Sequence, residues 1–334
     1  MDLFELTRTL IDVESVSGRE AAVGELLHER LASLAAGSGG RVERMAVDGD
    51  RFNLFAAWGH PEVVLSTHMD TVPPFFPSSE DAEHVAGRGA CDTKGAIAAM
   101  LGAVELLLAE GARGFGLLLV VGEETDSAGA EAANREPRGS RYLINGEPTG
   151  NRLALGCKGT LYLALEAEGR AAHSAHPELG DSAIDRLLDA LGRLRALPLP
   201  SAPPLGASTL NIGTIAGGRA ANVVADRAGA EVLIRTVGDT AELRQAVAAA
   251  LGGVRLAAMR ETPAIELGSL PGFATTVVSY TTDIPRLRAW GQPYLLGPGS
   301  IEVAHTAGER VAKRELVEAM HLYRDMVRLL QARR

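Results

Sequence analysis

The chain has 334 residues, 46% of them hydrophobic, which is long enough for more than one core, so two domains are expected. Its 33 basic residues face 42 acidic ones, a formal net charge of -9 at pH 7. That balance argues against a broad nucleic-acid or membrane surface, because both partners are polyanionic.

The opening stretch MDLFELTRTLIDVESVSGRE is acidic and amphipathic, without the basic start, apolar stretch and small-residue cleavage site of an export signal. No apolar run approaches the roughly 20 residues of a membrane helix. The two cysteines, Cys91 and Cys157, are too few for a disulfide framework. A cytoplasmic location with both thiols buried and reduced is therefore expected.

Residues 2–36 read as a helix, a stop and a second helix. Ser17-Gly18-Arg19-Glu20 has the spacing of a capping box, and Val23, Leu26, Leu27 and Leu31 then recur at helical intervals. The β-rich runs FNLFAAWG and EVVLSTH follow, then a helix over 94–110, an all-apolar strand over 115–121, a short helix over 127–135 and the strand RYLIN. Helices alternating with buried strands predict an α/β fold around a mostly parallel sheet.

From Gly159 the pattern changes. A strand TLYLALEAEG, a helix from Ser182 to Leu197, a Pro-rich connection LPLPSAPPLG, strands STLNIGTIAGG and AGAEVLIRTV, a helix over 239–251 and a strand near 254–260 give the βαββαβ order of a ferredoxin-like α+β unit. The first domain then resumes, with strands near 274–280 and 293–296 and a long amphipathic helix from Lys313. The expected division is 1–157 with 266–334 as one domain, and 158–265 as an inserted one.

Unusual polar residues fall at the strand ends of this map. EVVLSTHMD ends in His68 and Asp70, two apart and so on one side of an extended segment. GACDTKGA places Asp92 in a Gly-rich loop before a helix, GEETD places Glu123 and Glu124 after a strand, INGEPTG does the same for Glu147, and GPGSIEVAHTAGE brings His305 late in the chain. Each has a bland reading: a surface pair, a solvated face, a helix cap at Asp92 or Thr93, a turn residue. Together they form a cluster at the edge of an α/β sheet where ligands bind. Carboxylates gathered there repel one another unless a cation neutralises them. Two histidines with several carboxylates and no thiolate suit Zn²⁺, Co²⁺ or Mn²⁺ in a catalytic site, and an extra carboxylate can bridge two ions.

The motifs STHMDTVP, GRGACDTKG, GEETDSAG, NGEPT, GRAAHSAHP, GGRAANVV and LGPGSIEVAHT, in that order, span nearly the whole chain. They resemble the M20 metallopeptidase family, which includes acetylornithine deacetylase, succinyl-diaminopimelate desuccinylase, aminoacylase 1 and carboxypeptidase G2. The resemblance implies a zinc-peptidase-like catalytic domain, with the inserted unit as a lid that also forms a homodimer. It makes Asp92 the carboxylate between two divalent metal ions, zinc first, with His68 and Glu147 completing one ligand set and Glu124 and His305 the other.

Asp70 would orient His68, and Glu123 would be the general base that moves a proton from water to the leaving amine. The lid would supply His173 for the oxyanion, His176 being the competing position, and Asn222 and Arg235 for the substrate. Ala225 stands where many relatives have Pro, and Gly308 where an acid or Asn is common; neither is an implied ligand.

The implied activity is hydrolysis of the amide bond of an N-acyl amino acid, as in an acetylornithine deacetylase-like deacylase. Alternatives are a dipeptidase or carboxypeptidase, an N-succinyl-amino-acid or carrier-linked amino-acid hydrolase and, in a different class, a non-catalytic metal-binding relative. The partner would be a small N-acyl amino acid or short peptide.

Overall fold

Helix α1 (Leu3–Asp12) starts where the Asp2 carboxylate accepts from the amides of Phe4 and Glu5, a conventional N-cap. Helix α2 (Ala21–Ser38) starts differently from the sequence expectation. Ser17 makes no capping bond to it; the Ser17 hydroxyl instead donates to Asp70 Oδ2 at 2.7 Å. A local spacing rule is overridden here by a tertiary acceptor.

The computed structural model describes residues 2–333. They form two compact units: one comprises the chain up to Leu155, Leu267–Thr276 and the chain from Thr282 onward, and the other Gly156–Glu266 with Val277–Thr281. Residues 277–281 were expected in the first domain; they join the second, where the Lys158 amide donates to the Val278 carbonyl at 3.2 Å. Met1 and Arg334, the outer limits of the expected first domain, lie outside the described residues.

The first unit is built on a six-stranded sheet. Its strands are β1 (Arg41–Asp48), β2 (Arg51–Trp58), β3 (Val63–His68), β4 (Phe115–Val120), β5 (Tyr142–Asn145) and β10 (Gln292–Leu295), in spatial order β1-β2-β4-β3-β5-β10. Strands β4, β3, β5 and β10 run parallel, and β1 and β2 add an antiparallel edge. No strand was expected over 41–48. Its sequence RVERMAVD carries four charges, and Met45 is the one residue of it that is buried, as suits an edge strand facing water.

The inner strands β3, β4 and β5 are buried on both faces, so apolar residues run through them without alternation. On one face Leu54, Leu65, Leu117 and Leu119 join the core of α1, α2, α3 (Lys94–Ala109) and α7 (Lys313–Gln331). On the other, Phe55, Val64, Leu118 and Leu143 meet α4 (Ala128–Arg135), Leu287 and Trp290. Among the described residues no helix is long and apolar enough to cross a membrane.

The second unit runs β6 (Gly159–Glu168), α5 (Ala183–Arg195), β7 (Thr209–Gly217), β8 (Arg227–Thr236), α6 (Ala241–Leu251) and β9 (Arg255–Thr262). Its antiparallel sheet has the order β7-β8-β6-β9, the ferredoxin-like arrangement. Alternate residues such as Leu161, Leu163, Val232 and Ile234 pack under Leu187, Leu191, Val247 and Leu251 of the two helices. The Pro-rich connection holds a short antiparallel pair, Ser201–Ala202 with Gly206–Ala207.

One buried side chain links the first unit's core to the turn after β4. Asn53 Oδ1 accepts from the Val121 amide at 3.1 Å, and its Nδ2 donates to the Gly129 carbonyl at 2.8 Å. Asn53→Ala leaves those groups unpaired in the interior, so a loss of about 1–3 kcal/mol in unfolding free energy is expected, read from the denaturant midpoint.

Candidate metal centre

Every predicted residue of the first unit's site sits at the C-terminal end of a parallel strand or in the loop before α3. His68 ends β3, Glu123 and Glu124 follow β4, Glu147 follows β5, Asp92 precedes α3, and His305 lies in the turn after β10. Parallel strands put all these ends at one edge of the sheet, which is why residues up to 237 positions apart in sequence can meet.

The glutamate turn is sharply shaped. Gly122 has φ +79°, and a Cβ there would lie 2.5 Å from the Arg51 guanidinium. Arg51 is itself held by a bidentate pair with buried Glu20 at 3.0 and 3.1 Å. From beneath the turn, Asp70 Oδ1 accepts from the Glu123 amide and Oδ2 from the Glu124 amide, both at 3.1 Å. With successive backbone amides fixed on one carboxylate, the Glu123 and Glu124 side chains are free to serve separate tasks.

The distances then define the cluster. His68 Nε2 lies 3.1 Å from Asp92 Oδ1, and His305 Nε2 lies 3.2 Å from Asp92 Oδ2 and 3.0 Å from Glu124 Oε1. Glu147 Oε2 is 3.9 Å from His68 Nε2. His68 Nδ1 donates to the Asp70 carbonyl at 2.9 Å, which leaves Nε2 to face the acids. The Thr93 hydroxyl donates to the His68 carbonyl at 2.8 Å rather than capping α3.

This donor set fits divalent ions. Ligand atoms of His68, Asp92 and Glu124 all lie within 4.8 Å of one another. Two donors each about 2.0–2.1 Å from a tetrahedral Zn²⁺ stand roughly 3.3 Å apart, close to the separations observed. Asp92 presents one oxygen to each histidine, the disposition a bridging carboxylate needs. Glu147 Oε1 is buried with no hydrogen-bond partner, a costly state that a cation relieves.

The electrostatics point the same way. Burial disfavours the His68 cation, but hydrogen bonds to Asp70 and Asp92 and the charge of Glu147 outweigh it, so its pKa stands well above the ordinary imidazole value. Hydrogen bonds to Asp92 and Glu124 push His305 up to about 10. Burial would raise Asp92, yet its bonds to His305 and His68 hold it well below the usual carboxylate range. Glu123 and Glu147 move well up, through burial first and then through neighbouring carboxylates.

Two site residues escaped the sequence reading. Asp283, in TTDIPR, is buried, and burial pushes its carboxyl up to about 7 against the opposing effect of the Ser127 hydroxyl; it adds to the acidic field on Glu123 and Glu147. Glu309, in AGERV, is buried against Arg88. Neither TTDIPR nor AGERV carries a pattern that marks its acid.

The remaining predicted residues belong to the second unit. His173 and Asn222 lie on paired segments: His173 bridges Val223, and the Ser174 amide donates to the Asn222 carbonyl at 3.0 Å. Both side chains are exposed. His176 is also exposed and sits 3.3 Å from Glu178. Arg235, on β8 opposite Thr160 and Thr209, is half-buried with no ion pair to an acid among the described residues, and burial lowers its pKa.

The sequence profile of Peptidase family M20/M25/M40 matches residues 64–329, a span that contains all the clustered residues. The chain belongs to this family. A Peptidase M20 domain-containing protein of Schizosaccharomyces pombe is 38% identical over 341 residues, covering 98% of this chain and 84% of that one. A probable carboxypeptidase of Aspergillus clavatus is 37% identical over 377 residues, covering 97% and 82%. In fold, the chain resembles the crystal structure of a tripeptidase from Staphylococcus aureus, with a TM-score of 0.82 at 21% identity and 98% of each chain covered. The M20 chain is accordingly an enzyme, a hydrolase of metallopeptidase type, and the non-catalytic alternative is set aside.

Because a metal binds neutral imidazole, and the neighbouring acids raise the pKa of both His68 and His305, ions entering this cluster compete with protons for the imidazoles. Zn²⁺ binding at pH 7 is therefore expected to release protons, and affinity should rise as pH climbs toward the His305 value of about 10. Titration calorimetry in buffers of different ionisation heat measures this; binding without proton release would contradict the raised imidazole pKa values.

Proposed function

We propose that this M20 enzyme hydrolyses a linear amide whose nitrogen belongs to an amino acid with a free carboxylate. N-acyl amino acids are the favoured substrates, which makes it an acetylornithine deacetylase-like deacylase. The observation that carries the reading is Asp92 presenting one oxygen to each of two histidines, with Glu124 and Glu147 beside them. Asp92, His68 and Glu147 would hold one divalent ion, and Asp92, Glu124 and His305 the other, zinc first, with cobalt or manganese able to replace it. When bound, the ions polarise the amide carbonyl and lower the pKa of water.

The chain's own groups do the rest. Glu123 accepts the proton of the attacking water and delivers it to the leaving nitrogen; the burial that raises its pKa suits a group that must both take and give a proton near neutrality. Asp70 holds the His68 imidazole and the glutamate turn in register. His173 is the proposed oxyanion donor, and Asn222 and Arg235 the proposed substrate-binding residues. A half-buried guanidinium without an acid partner is costly, and a substrate carboxylate taken in a two-pronged grip offsets that cost.

Exopeptidase action is the second reading, favoured by relatives named as probable carboxypeptidases. A carboxypeptidase also releases an amino acid with a free carboxylate, so Arg235 would serve either substrate. N-succinyl and carrier-linked amino acids share this chemistry. We further propose a cytoplasmic homodimer formed through the second unit, whose edge strand β7 has one unpaired side and an exposed Ile215. Turnover of N-acetyl amino acids, N-succinyl amino acids and dipeptides with Zn²⁺, Co²⁺ and Mn²⁺ added separates the readings.

Glu123→Gln is expected to lower kcat by roughly 10²–10⁴-fold with metal content unchanged; activity within tenfold of the parent enzyme would remove Glu123 as the base. Arg235→Ala should raise KM for a carboxylate-bearing substrate far more than it lowers kcat. For the same substrate with its carboxylate amidated, the two enzymes should perform alike, and an equal loss on both substrates would end the carboxylate assignment.

A further inference from the structure

We infer that Glu309 is a positioning residue for the metal centre: its carboxylate clamps the Asp92 loop to the segment bearing His305, so the spacing of the two loops exists before any ion arrives. The inference rests on the metal-centre reading above. Glu309 is only 1% exposed. One of its oxygens accepts from the Gly89 amide at 2.9 Å and the Asp92 amide at 3.3 Å, with the Cys91 thiol at 3.8 Å; the other accepts from Arg88 Nη1 at 2.5 Å. Its own backbone carbonyl accepts from the Gly87 amide at 3.1 Å.

All these partners are donors, and all come from residues 87–92, while Glu309 itself stands four residues beyond His305. The bond to the Asp92 amide fixes the main chain of the very residue that faces both histidines. Arg88 is buried and held from its far side: Nε donates to the Pro74 carbonyl at 3.2 Å, and the guanidinium lies 4.9 Å from the Phe76 ring. An ion pair serving stability alone would need Arg88 and nothing more. Here the carboxylate spends its other oxygen on loop amides. A glutamine cannot substitute, because its NH₂ would turn a donor toward donors.

The test is titration of the metal-free full-length chain with Zn²⁺ alone, followed by calorimetry. The unmodified enzyme should bind two ions. Glu309→Gln should bind at least one of them 10- to 100-fold more weakly. Leu27→Ala, a core truncation in α2, should lose stability and keep the affinity unchanged. Equal affinity in Glu309→Gln and the unmodified enzyme overturns the inference, whereas no Zn²⁺ binding by the unmodified enzyme overturns the metal-centre reading instead. Should Glu309→Gln fail to fold, amide exchange in the metal-free unmodified protein decides. Slow exchange at Gly89 and Asp92 is expected, and exchange at the rate of a free loop overturns the clamp.

Discussion

The carboxylate of Asp70 is the joint on which the strand edge is assembled. Ser17 reaches it from the connection between the first two helices, the amides of Glu123 and Glu124 reach it from the turn after β4, and His68 lies against it from β3. It can accept all these donors only as an anion. Burial pushes against that state, and the bonds from His68, Ser17 and the Glu124 amide overcome it, holding its pKa below the usual carboxylate range. Without this acceptor, the doubled glutamate would be two charged residues in a loose turn. With it, one backbone geometry sends one side chain toward His305 and leaves the other free for a second role.

Charge is the second constraint, and it is left unresolved on purpose. Asp92, Glu124 and Glu147 crowd two histidines, and the neighbouring acids raise the pKa of both imidazoles. Protons are the cations the chain itself can supply; divalent ions are the ones the donor set fits better. The orphaned Glu147 oxygen shows that the protein alone leaves part of the demand unmet. Such local conflict against the otherwise consistent α/β core is expected where a site is built for a ligand.

Much of this was legible in the sequence because the signal is a contrast: strands that are apolar throughout stop at His68, Glu123 and Glu147, and only a functional edge collects such residues repeatedly. The ferredoxin-like order was equally open, since β6 and β8 alternate cleanly under their helices. The failures share a cause. Ser17 has the spacing of a helix cap but answers to Asp70, 53 positions away. The edge strand β1 carries too many charges to look like a strand, because water covers what the sheet does not. Asp283 and Glu309 are meaningful through their burial, and burial of a lone acid leaves no mark in a linear pattern.

His305 comes from a stretch that the chain reaches only after the whole inserted unit, and its contact with Glu124 spans 181 positions. Glu309 and Arg88 close a loop of 221. A nascent chain that has delivered β3, β4 and β5 therefore presents its acids with only one imidazole among them, and the cluster cannot be completed until nearly all of the polypeptide has been made. A chain truncated before the late histidine has the acidic edge without the His305 contact to Glu124.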